Sequence, residues 1–202
     1  MDFSVNTIKT DVINLSSKNF IIKYLLKSDN WYFNEYLGLD SVKSIQMMEE
    51  LKGILNSKIG IAYHNVLMVG SGKTGCSLSP DKNFKTFNEN SDIDIAIISS
   101  KKFNDMWAKI REASMNEHIA YNHIASAVFR GFINEKHFSS IDFARQYWNS
   151  QIEDMNRCIQ EEIGIYHPVN YRIYRSWEDL ETYHINGINI LRKNILNNGN
   201  NL

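Results

Sequence analysis

Cysteine is scarce in these 202 residues, and the two present, Cys76 and Cys158, lie far apart. They form neither a CxxC pair nor a zinc-knuckle spacing, so a cysteine-ligated metal site is not indicated, and lone thiols fit a reducing cytoplasm. No apolar segment approaches the roughly 20 residues that a bilayer-spanning helix needs. The opening Met1-Asp2-Phe3-Ser4 lacks the basic stretch followed by an apolar run that marks a signal peptide. Neither charge sign dominates: 22 Lys and Arg stand against 23 Asp and Glu, a formal net charge of -1. That balance argues against a generally basic protein that coats nucleic acid, while leaving room for a local basic patch. Internal repeats are absent, and low complexity is confined to Asn197-Asn198-Gly199-Asn200-Asn201, read as part of a disordered tail over 197–202. Together these features predict a cytoplasmic protein with no membrane partner.

What is present is the material of a globular domain. Hydrophobic residues make up 43% and aromatic residues 12%, enough for a firm core. The reading is one domain over 1–196, with an N-terminal helical extension over about 1–60. Phe20, Ile21, Tyr24 and Leu25 fit a helical stripe. A second helix starts at Asp40, a good N-cap, with Val42, Ile45, Met48, Leu51 and Leu55 on one face. The period then changes, and His64–Val69 reads as a buried strand. A long polar loop follows over 70–91, carrying Gly70, Gly72, Gly75 and Pro80. In Asp92–Ile98, Ile93, Ile95 and Ile97 alternate with Asp92, Asp94 and Ala96, the clearest strand in the chain. Helical spacing returns at Phe103, Met106 and Ile110, and again through Trp148, Ile152, Met155 and Ile159. A further strand is expected at Val169–Tyr174 after Pro168. A last helix is capped by Ser176, with Asp179 three residues on. The fold class is α+β: a small mixed β-sheet with N-terminal, central and C-terminal helices.

The chemistry concentrates between residues 70 and 94. A strand has a period of two, so Asp92 and Asp94 project from the same face. Two adjacent carboxylates repel, and keeping both ionised needs a cation or good donors. Placed at the mouth of a glycine-rich loop, they suit magnesium, which favours a few carboxylates together with substrate phosphate oxygens. Glycines let backbone N–H groups approach phosphates closely, and Ser71 adds a hydroxyl donor.

The ordered pair Val69-Gly70-Ser71 and Ser91-Asp92-Ile93-Asp94-Ile95-Ala96-Ile97 resembles the signature of the nucleotidyltransferase superfamily that includes DNA polymerase beta, and more closely its minimal bacterial members. The resemblance covers about residues 64–98. It implies a nucleotidyltransferase-type sheet in which Gly70 and Ser71 contact the triphosphate, with Lys73 and Ser91 beside them as nucleotide-binding candidates. Asp92 and Asp94 are then the metal ligands and catalytic carboxylates for Mg2+ or Mn2+. The implied activity is transfer of a nucleoside monophosphate from a nucleoside triphosphate to a protein, RNA or small-molecule acceptor. Several proteins resembling this one serve in toxin–antitoxin or phage-defence settings. Two departures stand out. Leu78 to Asn90 looks like an insertion in the loop, and the later strand Val169–Tyr174 contains no third acid. Asp142 is the other candidate for that carboxylate, but Ser139-Ser140-Ile141-Asp142 reads equally well as a helix start, where an acid suits the helix dipole. The missing acid keeps an alternative open: a catalytically inactive, nucleotidyltransferase-like nucleotide-binding or regulatory interaction protein.

Other features read more plainly. Gly70-Ser71-Gly72-Lys73-Thr74 resembles the tail of a Walker A loop, but Leu67 stands where that motif needs its first glycine. His118 and His123 are five apart, whereas helical metal pairs use a spacing of four; these two, with His64, His137, His167 and His184, are read as structural or surface residues. Tyr171, Arg172, Tyr174, Arg175 and Trp177 form an aromatic-basic cluster able to stack on a base, although a half-buried strand followed by a helix explains them more economically.

Overall fold

The computed structural model describes residues 2–116, 121–137 and 141–199. The architecture is mixed α+β, with a four-stranded mixed sheet among several helices. None of the described helices is long and apolar enough to cross a membrane.

Helix α1 (Val5–Asn14) is capped by Ser4, and α2 (Ser17–Ile21) by Ser16; each hydroxyl accepts a backbone N–H of the first turn, as N-cap residues do. Wide π turns follow at Ile22–Leu26 and Tyr32–Tyr36. Helix α3 (Ser41–Ile59) begins where Asp40 accepts from the Lys43 N–H at 2.9 Å, and ends at Gly60 in the left-handed conformation. Its expected stripe is corrected at one end. Met48, Leu51 and Leu55 are buried, whereas Val42 and Ile45 are exposed, because the buried face continues through Ser44, which hydrogen-bonds Asn34, and leaves positions 42 and 45 to the side.

Strand β1 (Val66–Val69) runs into a single helical turn, α4 (Gly70–Thr74), and returns as β2 (Ile93–Ile98), antiparallel to β1. Helices α5 (Ser100–Asn116) and α6 (Tyr121–Phe129), strand β3 (Phe132–Asn134) and helix α7 (Asp142–Cys158) precede β4 (Val169–Tyr174). The sheet order is β1-β2-β4-β3; β4 is parallel to β2 and antiparallel to β3. The short edge strand β3 was not anticipated, since three residues leave no period to read. Helix α8 (Trp177–Gly199) closes the chain. It includes 197–199, the first residues of the expected tail; residues 200–202 lie outside the described residues.

The two sheet faces differ. On one, Met68, Ile93, Ile95, Ile97, Tyr171 and Ile173 join the main core with α3, α5 and α7. The other is apolar at one end only, where Val69, Ala96, Ile98, Phe132 and Tyr174 pack under Leu180 of α8. At its opposite end this second face turns polar. Farther along α8, Ile188 and Leu191 bury against Ile8, Val12 and Phe20, which fastens the N-terminal helices to the body. Arg192 completes that joint: its Nε donates to the Val12 carbonyl and its Nη2 to the Leu15 carbonyl, each at 2.7 Å. These carbonyls are among those α1 leaves unpaired at its end. Arg192→Ala is therefore expected to cost about 2 kcal/mol and to lower Tm by about 5 °C, read by calorimetry.

Candidate functional site

The polar end of the second sheet face opens into a cleft of about 1080 Å³ between the sheet, α8 and the loop after α4. Gly70, Ser71, Asp92 and Asp94 all line it. Their convergence follows from the β1–β2 register, in which Val69 pairs with Asp94. The residue after Val69 is thereby delivered beside that carboxylate. Gly70 has φ +66°, in the left-handed region, and a Cβ built on it would stand 2.4 Å from Asp94 Oδ2. Only glycine meets both demands without strain.

The two aspartates occupy different environments. Asp94 is largely enclosed, and burial pushes its carboxyl above the usual range; Arg172 opposes that shift and Asp92 adds to it. Asp92 sits at the rim, with Lys136 Nζ 3.8 Å from its Oδ2, a surface pair of small energetic worth. A cation held between the carboxylates would relieve their mutual repulsion and the burial cost of Asp94 together. The cleft walls also carry Lys82, Arg130, Lys136, Arg172 and Lys193. Against them stand the two aspartates, Asp81, and Asp179, which is already paired with Arg175. Once Asp92 and Asp94 hold a cation, the remaining wall is predominantly positive and suits a polyanion.

Three other sequence candidates do not line the cleft. Lys73 is buried, 3% exposed, and its Nζ donates to the carbonyls of Lys27 at 2.5 Å and Asp29 at 2.6 Å. It ties α4 to the N-terminal segment instead of reaching a phosphate. Ser91 uses its hydroxyl to accept the Asn88 N–H at 3.0 Å. Its carbonyl accepts from His167 Nδ1 at 2.9 Å, and because a carbonyl only accepts, that nitrogen carries the proton. Asp142 opens α7, exposed and paired with Arg145 at 2.6 Å; it does not join Asp92 and Asp94. Among the described residues no three His, Cys, Asp or Glu gather as a metal site. The acid-free strand is β4: Asn170 pairs with Asp94, and Arg172 lies two residues further on the same face.

The aromatic-basic cluster divides. Arg172 faces the cleft, while Tyr171 points into the main core and donates from its hydroxyl to Asn156 Oδ1 at 2.5 Å. Arg175 pairs with Asp179, and Trp177 Nε1 donates to Asn65 Oδ1 at 3.3 Å. A period of two explains the split: alternate residues of a strand serve opposite faces. Of the histidines, His118 lies outside the described residues. His184 lines the cleft, and burial, with Arg172 adding to it, drives its pKa to about 3, so the ring stays neutral.

The site loop is braced from behind. Phe87 and His167 rings lie 5.0 Å apart, with Tyr36 and Tyr32 against His167 at 5.2 and 5.5 Å. Gly75, at φ +78°, admits the Trp31 indole, whose nearest atom would be 2.7 Å from an added Cβ. Comparison of the chain with protein-family models, curated proteins and solved structures returns no match.

Proposed function

We propose that this chain is a metal-dependent nucleotidyltransferase, transferring a nucleoside monophosphate from a nucleoside triphosphate to an acceptor. The observation that carries the reading is the contact between Gly70 and Asp94, which seats a carboxylate pair against a glycine-serine turn at the mouth of a cation-lined cleft. Asp92 and Asp94 would hold the ion, two carboxylates being a donor set that fits magnesium when substrate phosphates complete it. Such an ion supplies charge stabilisation at the phosphorus under attack. Gly70 leaves room for Asp94, and Ser71 offers a hydroxyl donor to the phosphate chain. Lys82, Lys136 and Arg172 offset its negative charge. The acceptor hydroxyl would attack the α-phosphorus, its oxygen bonding to phosphorus as the bond to the β-phosphate oxygen breaks; pyrophosphate would depart and the hydroxyl proton pass to solvent.

A second reading, nucleotide binding without turnover in a regulatory role, is favoured by one observation. Asn170 faces Asp94, and no third carboxylate joins the pair among the described residues. One experiment separates the two. Magnesium-dependent binding and pyrophosphate release are measured with each of the four nucleoside triphosphates, for wild type beside the double variant Asp92→Ala/Asp94→Ala. The transferase reading expects release that the double variant loses by a factor on the order of a thousand or more, the scale of a removed electrostatic constellation. Tight binding with no release, across protein, RNA and small-molecule acceptors, transfers support to the regulatory reading. Absence of binding overturns both.

A further inference from the structure

On the site face, β4 presents a cation where an acid would complete a carboxylate cluster. Asn170 pairs with Asp94, and Arg172 pairs with Ala96, one step along the same face. The Arg172 guanidinium is held in a fixed plane. It lies over the Tyr183 ring at 4.8 Å and the Phe132 ring at 5.2 Å, and its Nη1 donates to Tyr174 Oη at 3.4 Å. The two rings, their centroids 4.9 Å apart, meet the guanidinium from one side and restrict its orientation, leaving the edge of the fork to hydrogen-bond. That edge is incompletely used: Nε is buried and has no hydrogen-bond partner among the described residues. No described carboxylate lies within ion-pair distance of Arg172, although it is close enough to Asp94 to favour that group's ionised form. A second buried nitrogen on the cleft wall, His184 Nε2, also lacks a partner.

A buried guanidinium with a spare donor is costly unless an anion completes it. Carboxylates accept that geometry, and so do phosphates, bidentately. The carboxylates at hand are the pair that would hold the ion, so the partner must come with the ligand. Two carboxylates neutralise one divalent ion. A second ion would have to sit beside a fixed guanidinium with no third acid to offset it, and like charges at that range repel strongly.

We infer that the site takes a single divalent cation, and that Arg172 occupies the place of a second one by binding a phosphate of the polyphosphate chain directly. This rests on the nucleotide reading of the cleft and deepens it. Arg172 is then a ligand-binding residue, and polyphosphate binding is partly independent of metal.

The test counts ions and measures metal-free binding. Mn2+ is titrated into the full chain with a saturating non-hydrolysable ATP analogue, and free Mn2+ is followed by electron paramagnetic resonance. One ion per ternary complex is expected; two overturns the inference while leaving the nucleotide reading intact. In parallel, inorganic triphosphate is bound by calorimetry in excess chelator. Arg172→Gln is expected to lose affinity by a factor on the order of 10 to 100, the worth of a charge-assisted bidentate contact. Arg172→Lys keeps the charge without the fork and is expected to lose less. It also carries the measurement if the glutamine variant fails to fold, as judged by circular dichroism. Unchanged triphosphate affinity in the variants overturns the inference. If the ATP analogue does not bind the wild type at all, the nucleotide reading has failed and this inference falls with it.

Discussion

Gly70→Ala is expected to weaken metal-dependent nucleotide binding severely and to lower Tm. Two separate costs meet at this residue. The backbone stands at φ +66°, where a non-glycine residue costs about 1–2 kcal/mol. The added Cβ would lie 2.4 Å from Asp94 Oδ2 and 3.2 Å from its Cγ, so the carboxylate must leave its position. Asp94 is enclosed by the sheet, and rotation of its side chain removes one of two ion ligands. Loss of a ligand with its geometry is expected to weaken magnesium–nucleotide binding by a factor on the order of 100 or more, about 3 kcal/mol. The fall in Tm should be about 3–6 °C. Gly164→Ala is the matched control: φ there is +73°, and nothing lies within 4 Å of the added Cβ. It carries the backbone cost alone, so its Tm should fall while nucleotide binding is unchanged. Isothermal titration of both variants checks the pair. Wild-type binding by Gly70→Ala would show that Asp94 in this position is not a ligand of the ion.

The parts of the site that were legible in the sequence are those set by short-range geometry. The alternation of Ile93, Ile95 and Ile97 with the aspartates is local, and so is the glycine-serine turn that β1 feeds. Their meeting needed only a hairpin-like return of the chain, which antiparallel β1 and β2 supply. The strand Val169–Tyr174 and the Ser176 cap were readable for the same reason. What β4 contributes was not readable, because its neighbour is a parallel strand reached across α5, α6, β3 and α7. A parallel register is a long-range fact: no local pattern says that Asn170, and not Arg172 or Tyr174, stands opposite Asp94. Lys73 failed for another reason. Its neighbours spell part of a phosphate-binding motif, yet the turn of α4 directs the side chain inward toward carbonyls of residues 27 and 29. Those carbonyls lie more than 40 positions away, beyond the reach of any spacing argument.

That inward lysine gives the second large expectation, a stability that depends on alkaline pH through one residue. Burial lowers the Lys73 amine to about 8, with nearby Lys52 acting in the same direction and Asp29 against it, whereas the unperturbed amine titrates at 10.5. Between these values the unfolded chain binds the proton and the folded chain has released it, so unfolding takes up a proton and stability rises with pH. Below the folded value both states are ammonium and the folded state bears the full cost of burying charge; above 10.5 both are neutral and the cost is gone. Lys73→Met keeps the length of the stem and removes the titration. Tyrosines with raised values, such as Tyr32 at about 12, titrate in both proteins and cancel in the difference. The unfolding free energy of wild type relative to Lys73→Met is therefore expected to increase by about 2 kcal/mol from pH 7.5 to pH 10, measured by urea denaturation. A constant difference would mean that the carbonyls of Lys27 and Asp29 offset burial and hold an ammonium throughout. In either state the same bonds join α4 to the N-terminal segment, so the variant should also loosen the turn that carries Gly70 and Ser71. That second effect would be read as faster backbone hydrogen exchange across 70–75 than in the wild type.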